Sequence, residues 1–157
     1  MLNVTIVAVG KLKERFWADA CAEYLKRLRP YARVVVEEVG DLDPARAGGE
    51  QAAREGEGRA VLARIPARAH AIALDVGGRQ RSSEQIAHRL DELALGGRSD
   101  VAFAIGGSTG LDRVVLARAD ETLSFGPITL PHNLARVVLL EQLYRAFRIS
   151  RGEPYHK

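Results

Sequence analysis

The fold of this chain is indicated most clearly by the segment Leu123-Ser124-Phe125-Gly126-Pro127-Ile128-Thr129-Leu130-Pro131-His132-Asn133. An apolar, extended stretch is broken by Gly126-Pro127 and runs directly into a long helix, predicted over residues 133–150. The break bends the chain, so that its backbone can curve round a ligand while Ile128 and Leu130 form an apolar wall. A buried connection between a strand and a helix explains the same segment, and the sequence alone leaves both interpretations open.

The rest of the chain repeats this order of a strand followed by a helix. Strands are predicted at residues 3–9, 33–39, 69–76 and 101–105, with a further extended stretch at 122–130. Helices are predicted at residues 14–29, 44–64, 82–95, 112–119 and 133–150. This alternation predicts an α/β fold with a mainly parallel sheet and helices on both faces, built as a single domain over residues 1–157.

Local signals support several of these boundaries and weaken others. Ser82 and Gln85 stand at capping-box spacing, and Asp112 can cap the short helix that follows it. Gly77-Gly78 is expected to stop the third strand. Four glycines weaken the predicted helix at 44–64, because glycine is a poor helix former; they are Gly48, Gly49, Gly56 and Gly58.

The composition is that of an ordinary globular protein. Hydrophobic residues make up 46% of the 157 residues and charged residues 27%, which argues against a disordered or fibrous chain. The single cysteine, Cys21, and four scattered histidines show no metal-ligand spacing, so no metal is expected. The apolar start of the chain is too short for a membrane span and has no charged leader. We therefore expect a cytoplasmic protein without a membrane partner.

Positive charge is concentrated in two parts of the chain, although the net charge is only +3. Residues 1–33 contain seven Lys or Arg against three acids, and residues 131–157 contain five against two. A few converging bases can bind nucleic acid, since each phosphate contact adds to the affinity. Solvated helix faces explain the same distribution, and charge alone does not separate the two.

The segment Gly106-Gly107-Ser108-Thr109-Gly110 follows a predicted strand and precedes a helix. It matches the Gly-x-Ser-x-Gly elbow of serine hydrolases, and Asp112 or Asp120 with His132 or His156 would complete a triad in the required order. The short chain counts against that fold. The segment is neither a P-loop nor a dinucleotide fingerprint. Paired glycines permit a flat ligand to approach the backbone, and a simple tight turn remains an alternative.

Open α/β sheets bind ligands beyond the carboxyl ends of their strands. Here that rule selects three glycine-bearing loops, at residues 74–78, 105–110 and 125–130. A ligand site is therefore expected where these loops meet.

Several ordered motifs resemble one known family. They are Ile105-Gly106-Gly107-Ser108-Thr109-Gly110, Leu123-Ser124-Phe125, Thr129-Leu130-Pro131-His132, Glu141-Gln142-Leu143-Tyr144-Arg145-Ala146 and Gly152-Glu153-Pro154-Tyr155-His156-Lys157, together with Val7-Ala8-Val9-Gly10-Lys11-Leu12-Lys13 near the start. Together they resemble the RlmH family of SPOUT-class methyltransferases over nearly the full length. The chain departs from common family forms at Ile128, often Met, and at Asn133, often Gln. These changes bear on the shape of the pocket more than on the reaction.

The resemblance implies a fold, a cofactor and a substrate. It implies a SPOUT fold closed by a C-terminal trefoil knot, which periodicity could not predict because knots are so rare. It implies that S-adenosylmethionine is used to methylate N3 of a pseudouridine in helix 69 of 23S rRNA, on the assembled ribosome. The cofactor-binding residues implied are Leu74, Gly106, Phe125, Gly126, Pro127, Ile128, Thr129 and Leu130.

The resemblance also implies that RNA is met by Arg145, Tyr155, His156 and Lys157, contributed partly by the second subunit of a homodimer. Each has a simpler explanation: Arg145 stands four residues after Glu141 as in an ordinary helix-surface pair, and terminal residues are commonly disordered. Ordering the terminal residues costs about 1 to 2 kcal/mol each, more than one stacked base returns. We therefore expect a second subunit or the ribosome to hold them. Beside a methyltransferase and a serine hydrolase, a ribosome-binding protein that does not catalyse a reaction remains a third possible class.

Overall fold

The computed structural model describes residues 1–157 and contains five strands and six helices. The strands are β1 (Leu2–Val9), β2 (Ala32–Val39), β3 (His70–Gln80), β4 (Asp100–Ile105) and β5 (Glu121–Ser124). The helices are α1 (Arg15–Leu28), α2 (Pro44–Ala47), α3 (Glu50–Arg64), α4 (Ser83–Leu95), α5 (Arg113–Arg118) and α6 (His132–Ser150). None of the helices is both long and apolar enough to cross a membrane.

The strands form one sheet in the order β2-β1-β4-β3-β5, and every neighbouring pair is parallel. Parallel strands need helical crossovers, which cover both faces of the sheet. One face packs a cluster of 20 buried residues under α1, α4 and α6, and the other packs 10 under α3 and α5. The predicted α/β fold with helices on both faces is confirmed. The trefoil knot stays a prediction from the resemblance.

Two helix starts follow their capping signals. Ser82 accepts a hydrogen bond from the amide of Gln85, and the Gln85 side chain accepts one from the amide of Ser82, so the predicted capping box is confirmed. Asp112 caps α5 by accepting from the amide of Val114 at 3.1 Å. Both caps satisfy amides that the first turn of a helix leaves without partners.

Three predicted boundaries are wrong, each for a local reason. The helix expected at 44–64 is two helices, because Gly48 and Gly49 adopt φ values of +97° and +124° that end α2. Strand β3 does not stop at Gly77 but continues to Gln80 after a shift of register. Gly78 lies against β5 there, where a Cβ would come within 2.9 Å of Thr122. The extended stretch at 122–130 remains a strand only to Ser124.

Candidate active site

A cavity of about 410 Å³ lies at the carboxyl ends of β4 and β5 and beside residues 74–76 of β3, where the three predicted loops meet. Its volume is within the range of small-molecule and cofactor sites, about 300 to 1,000 Å³. Seven of the eight predicted cofactor-binding residues line it: Leu74, Gly106, Phe125, Gly126, Ile128, Thr129 and Leu130. Pro127 does not line it. The structure thus brings these residues together, while their role in binding stays a prediction.

The wall formed by residues 106–110 is a tight turn that closes on itself. The amide of Gly110 donates to the carbonyl of Gly107 at 3.0 Å, and Gly110 has a φ of +79°. A Cβ on Gly106 would lie 2.6 Å from the carbonyl carbon of Gly110 and 2.7 Å from the amide nitrogen of Leu111. Only glycine fits this position, so the backbone itself forms the cavity wall.

The loop after β5 presents free backbone groups to the same cavity. Buried Ser124 donates to the carbonyl of Val76 at 2.9 Å and accepts from the amide of Gly126 at 3.1 Å, which fixes the bend. After the bend, the amides of residues 128–130 donate to no protein atom and the carbonyls of residues 127–130 accept from none. Such groups require other partners, so this loop can bind a polar, flat ligand through its main chain.

Two further residues, Asp75 and His132, line the cavity but were not among the predicted cofactor-binding residues, although the predicted loop at 74–78 contains Asp75. Asp75 lies within β3, after the buried residues 70–73, and its exposed carboxylate stands at the cavity mouth. An acid directly after the apolar run of residues 71–74 was the signal that could have found it. His132, the first residue of α6, lies in the cavity wall, and a Cβ on Gly10 would come within 3.2 Å of its Nε2. The imidazole therefore packs against Gly10 and does not cap the helix.

The start of α6 is anchored to the end of β1 by a buried arginine. Arg136 is 2% exposed, pairs with Glu38 at 2.6 Å, and donates to the carbonyl of Gly10 at 3.0 Å. A buried charge is tolerated only when it is paired and hydrogen-bonded. Arg136 thus fixes where α6 begins, and with it the loop that precedes the helix.

Three of the four predicted RNA-facing residues lie together near the end of α6. Arg145 donates from Nε to Glu141 at 2.8 Å, and its guanidinium carbon lies 4.7 Å from the centre of the Tyr155 ring. Its Nη1 lies 3.2 Å from His156 Nδ1, while His156 Nε2 lies 2.6 Å from a carboxylate oxygen of Glu84. Since arginine only donates, Nδ1 accepts and Nε2 carries the proton given to Glu84. Lys157 is exposed and pairs with none of these groups.

The carboxylate of Glu141 affects the pKa of two neighbours, Arg145 and Tyr155. The hydrogen bonds to Glu141 raise the pKa of Arg145 above its ordinary value. Burial, together with the charge of Glu141, raises the pKa of Tyr155, so the phenol stays neutral and donates to Glu141 at 3.3 Å. The helix-surface pair between Arg145 and Glu141 is therefore present, but as one part of a larger cluster.

The terminal residues make contacts within their own chain. Tyr155 packs edge-to-face on Tyr144 of the same chain, with ring centres 4.8 Å apart. Glu153 pairs with Arg148 at 2.7 Å and accepts a hydrogen bond from Tyr31. The sequence-based expectation considered stacking on one base alone. These intramolecular contacts also help to hold the terminal residues, which the expectation left out. A further contribution from a second subunit or the ribosome stays a prediction.

The two groups of predicted site residues do not meet within one chain. Ala135 lines the cavity, and Arg145 lies ten residues further along the same helix. At a rise of about 1.5 Å per residue, their backbones are about 15 Å apart. One chain therefore carries a cavity and a separate cationic cluster.

No hydrolase triad is assembled. Ser108 lines the cavity but makes no hydrogen bond to a histidine, while His156 is bound to Glu84 and Arg145. Asp112 caps α5, and Asp120 accepts from the amide of Ala71 at 2.8 Å. Both candidate acids are thus engaged elsewhere in the structure.

The comparisons with known proteins agree with this geometry. The family model described as "Predicted SPOUT methyltransferase" matches residues 2–156. A solved "probable methylase family protein" from Haemophilus influenzae superposes with a TM-score of 0.55 at 13% identity, covering 99% of this chain and 71% of that one. TrmJ from Z. mobilis gives a TM-score of 0.54 at 19% identity, covering 100% and 73%. At these identities the likeness concerns the fold, and the fold and the matching family model define the class of SPOUT methyltransferases.

Closer relatives narrow the assignment. A protein of Carboxydothermus hydrogenoformans is 54% identical over 162 residues, covering 99% of this chain and all of its own length. A protein of Pelotomaculum thermopropionicum is 52% identical over 160 residues, covering 99% of both. Each is named "Ribosomal RNA large subunit methyltransferase H". The chain therefore belongs to the RlmH family, as its motifs suggested.

Proposed function

We propose that this protein is a single-domain enzyme that methylates N3 of a pseudouridine in helix 69 of 23S rRNA, on the assembled ribosome and as a homodimer. S-adenosylmethionine is the methyl donor. The observation that carries the proposal is the cavity at the ends of β4 and β5 and beside residues 74–76 of β3. Seven residues that the family resemblance selects line it, in a chain whose relatives are named as rRNA methyltransferases.

The cavity residues fit S-adenosylmethionine. The free amides of residues 128–130 and the free carbonyls of residues 127–130 suit the edge of an adenine, and the walls of Leu74 and Phe125 suit its faces. The carboxylate of Asp75 is free to accept from ribose hydroxyls or an ammonium group. When bound, S-adenosylmethionine supplies an electrophilic methyl group on a sulfonium.

The residues of the chain contribute chiefly position and charge. A fixed loop and wall orient the reacting groups, and orientation can lower a barrier by about 7 to 11 kcal/mol. A negative charge that develops at N3 is stabilised by a cation, and Arg145 and Lys157 are the candidates. Glu141 already orients Arg145, so its guanidinium is placed before RNA arrives.

A homodimer accounts for the distance between the cavity and the cationic cluster. Because about 15 Å of α6 separates Ala135 from Arg145, the cluster of one subunit cannot serve its own cavity without rearrangement. A second subunit packed against the cavity face can supply its own Arg145 and Tyr155. Exposed Val76 and Ile128 at the cavity mouth, 57% and 64% accessible, provide apolar surface for that contact.

The proposal is tested by transfer of labelled methyl from S-adenosylmethionine to purified ribosomes, isolated subunits and free rRNA, followed by mapping of the modified base. Methylation of the helix 69 pseudouridine in assembled ribosomes is expected. Incorporation into none of the three substrates refutes the activity, and incorporation elsewhere refutes the site. Calorimetry with S-adenosylmethionine distinguishes a methyltransferase from a ribosome-binding protein without catalysis, because the latter would give no binding heat. Ser108→Ala should keep most of the activity, whereas a hydrolase would lose it.

A further inference from the structure

An exposed aromatic pair stands at the start of α1. Phe16 is 63% exposed and Trp17 is half-buried beneath it, with their ring centres 5.0 Å apart and tilted by 53°. A phenylalanine this exposed contributes little to the core, while the partly buried Trp17 fixes its position. An exposed aromatic ring can stack on a nucleic-acid base of any type.

Two unpaired cations precede the aromatic pair. Lys11 and Lys13 are exposed, and neither forms a salt bridge. Arg15 is paired with Asp19 at 3.6 Å, and Glu14 occupies the N-cap position of α1. Lysines beside an exposed ring match the combination of phosphate contacts and base stacking that single-stranded nucleic acid requires.

This segment begins at the wall of the cavity. Gly10 packs against His132, a residue of the cavity wall, and its carbonyl accepts from Arg136. Phe16 lies six residues after Gly10, so the chain keeps it within about 20 Å of that contact. A distance of about 20 Å corresponds to about six nucleotides of a stacked strand, at about 3.4 Å per nucleotide.

We propose that Lys11, Lys13, Phe16 and Trp17 form a docking surface for rRNA beside the active site. The lysines contact phosphates and Phe16 stacks on a base within about six nucleotides of the target. The proposal rests on the proposed function for its rRNA ligand. Charge complementarity selects RNA over a second copy of this chain, because an apolar subunit contact would leave Lys11 and Lys13 without partners.

The test measures binding to purified ribosomes by sedimentation at several salt concentrations. Phe16→Ala should weaken binding by about 5- to 150-fold, the effect of one lost stacking contact, with an unchanged salt slope. The double variant Lys11→Ala, Lys13→Ala should reduce the salt slope by about 1.4 to 1.8. The matched control is Leu95→Ala, Arg98→Ala, which removes an apolar and a basic residue, both exposed. They precede the amino end of β4, whereas Lys11 and Lys13 follow the carboxyl end of β1. The control variant should bind like the wild type.

The outcomes separate this surface from the proposed reaction. If the wild type methylates ribosomes and Phe16→Ala binds them equally well, the surface is refuted and the function stands. If the wild type binds without methylating and the variants lose affinity, the surface stands and the reaction is refuted. If Phe16→Ala instead converts dimers into monomers in analytical ultracentrifugation, the surface is a subunit interface and the proposal is overturned. Binding of S-adenosylmethionine should be unchanged in every variant.

Discussion

Replacing Gly106 with alanine should distort the cavity wall, because the added Cβ would clash with backbone atoms. The added Cβ would lie 2.6 Å from the carbonyl carbon of Gly110 and 2.7 Å from the amide nitrogen of Leu111. Ordinary contact begins near 3.4 Å, and both neighbours are backbone atoms that no side-chain rotation can remove. The turn at 106–110 must therefore move by close to 1 Å.

Such a shift affects stability and binding differently. Overpacking typically destabilises a protein by about 1 to 3 kcal/mol. For a chain of this size that corresponds to a fall in Tm of about 2 to 12 °C. Because the turn is also the cavity wall, binding of S-adenosylmethionine should weaken by about tenfold or more, and methylation by up to about 100-fold where orientation is lost.

The matched control is Gly40→Ala. A Cβ on Gly40 meets no atom within 4 Å, and the residue lies after β2, outside the cavity. Tm would be measured by calorimetry and cofactor affinity by isothermal titration. Unchanged affinity in Gly106→Ala, with normal behaviour of Gly40→Ala, would contradict the assignment of this wall to the cofactor.

Three further predictions follow from other parts of the structure. Deleting residues 155–157 should abolish methylation yet leave S-adenosylmethionine binding nearly intact, and full activity in the truncated protein would remove these residues from the mechanism. Arg136→Ala should lower the free energy of unfolding, measured in urea, by about 3 kcal/mol. This is the lower end of the range for a broken buried ion pair, because Glu38 is partly exposed. A change under about 0.5 kcal/mol would show that the pair does not anchor α6. Burial raises the pKa of Glu121, but hydrogen bonds led by that from Arg89 outweigh it, so the net pKa lies below the ordinary 4.5. The stabilisation by ionised Glu121 is complete above pH 4.5 and is lost as the pH falls through the lowered pKa. The stability of Glu121→Gln, followed by circular dichroism, should therefore depend less on pH in that acid range than the stability of the wild type. An unchanged dependence on acid pH would contradict the lowered pKa of Glu121.

The fold was predictable because its signals are local. Each strand is a short apolar run and each helix carries its own apolar stripe, so the alternation alone indicates parallel strands. The capping box at Ser82 needs only four consecutive residues. The strand-end rule then selected the loops around Leu74, Gly106 and Phe125 without any knowledge of the family.

What the sequence did not predict depends on contacts between distant residues. The continuation of β3 through Gly78 follows from the close approach of Thr122 in β5. The anchor between Arg136 and Glu38 joins residues 98 positions apart. The folding of the terminal residues onto α6 depends on aromatic packing with Tyr144 that no local pattern contains. Local patterns therefore located the cavity but not the supports around it.

Helix α6 sets the angle between the cavity and the cationic cluster as well as the distance between them. Its first turn forms part of the cavity, and its later turns hold Glu141 and Arg145. One residue inserted between these parts would rotate the cluster by about 100° about the helix axis, and seven would restore the angle but move the cluster by about 10 Å. Homologues that keep both the cavity and the cluster in use are therefore expected to vary in length in their loops, and to keep the spacing within this helix constant.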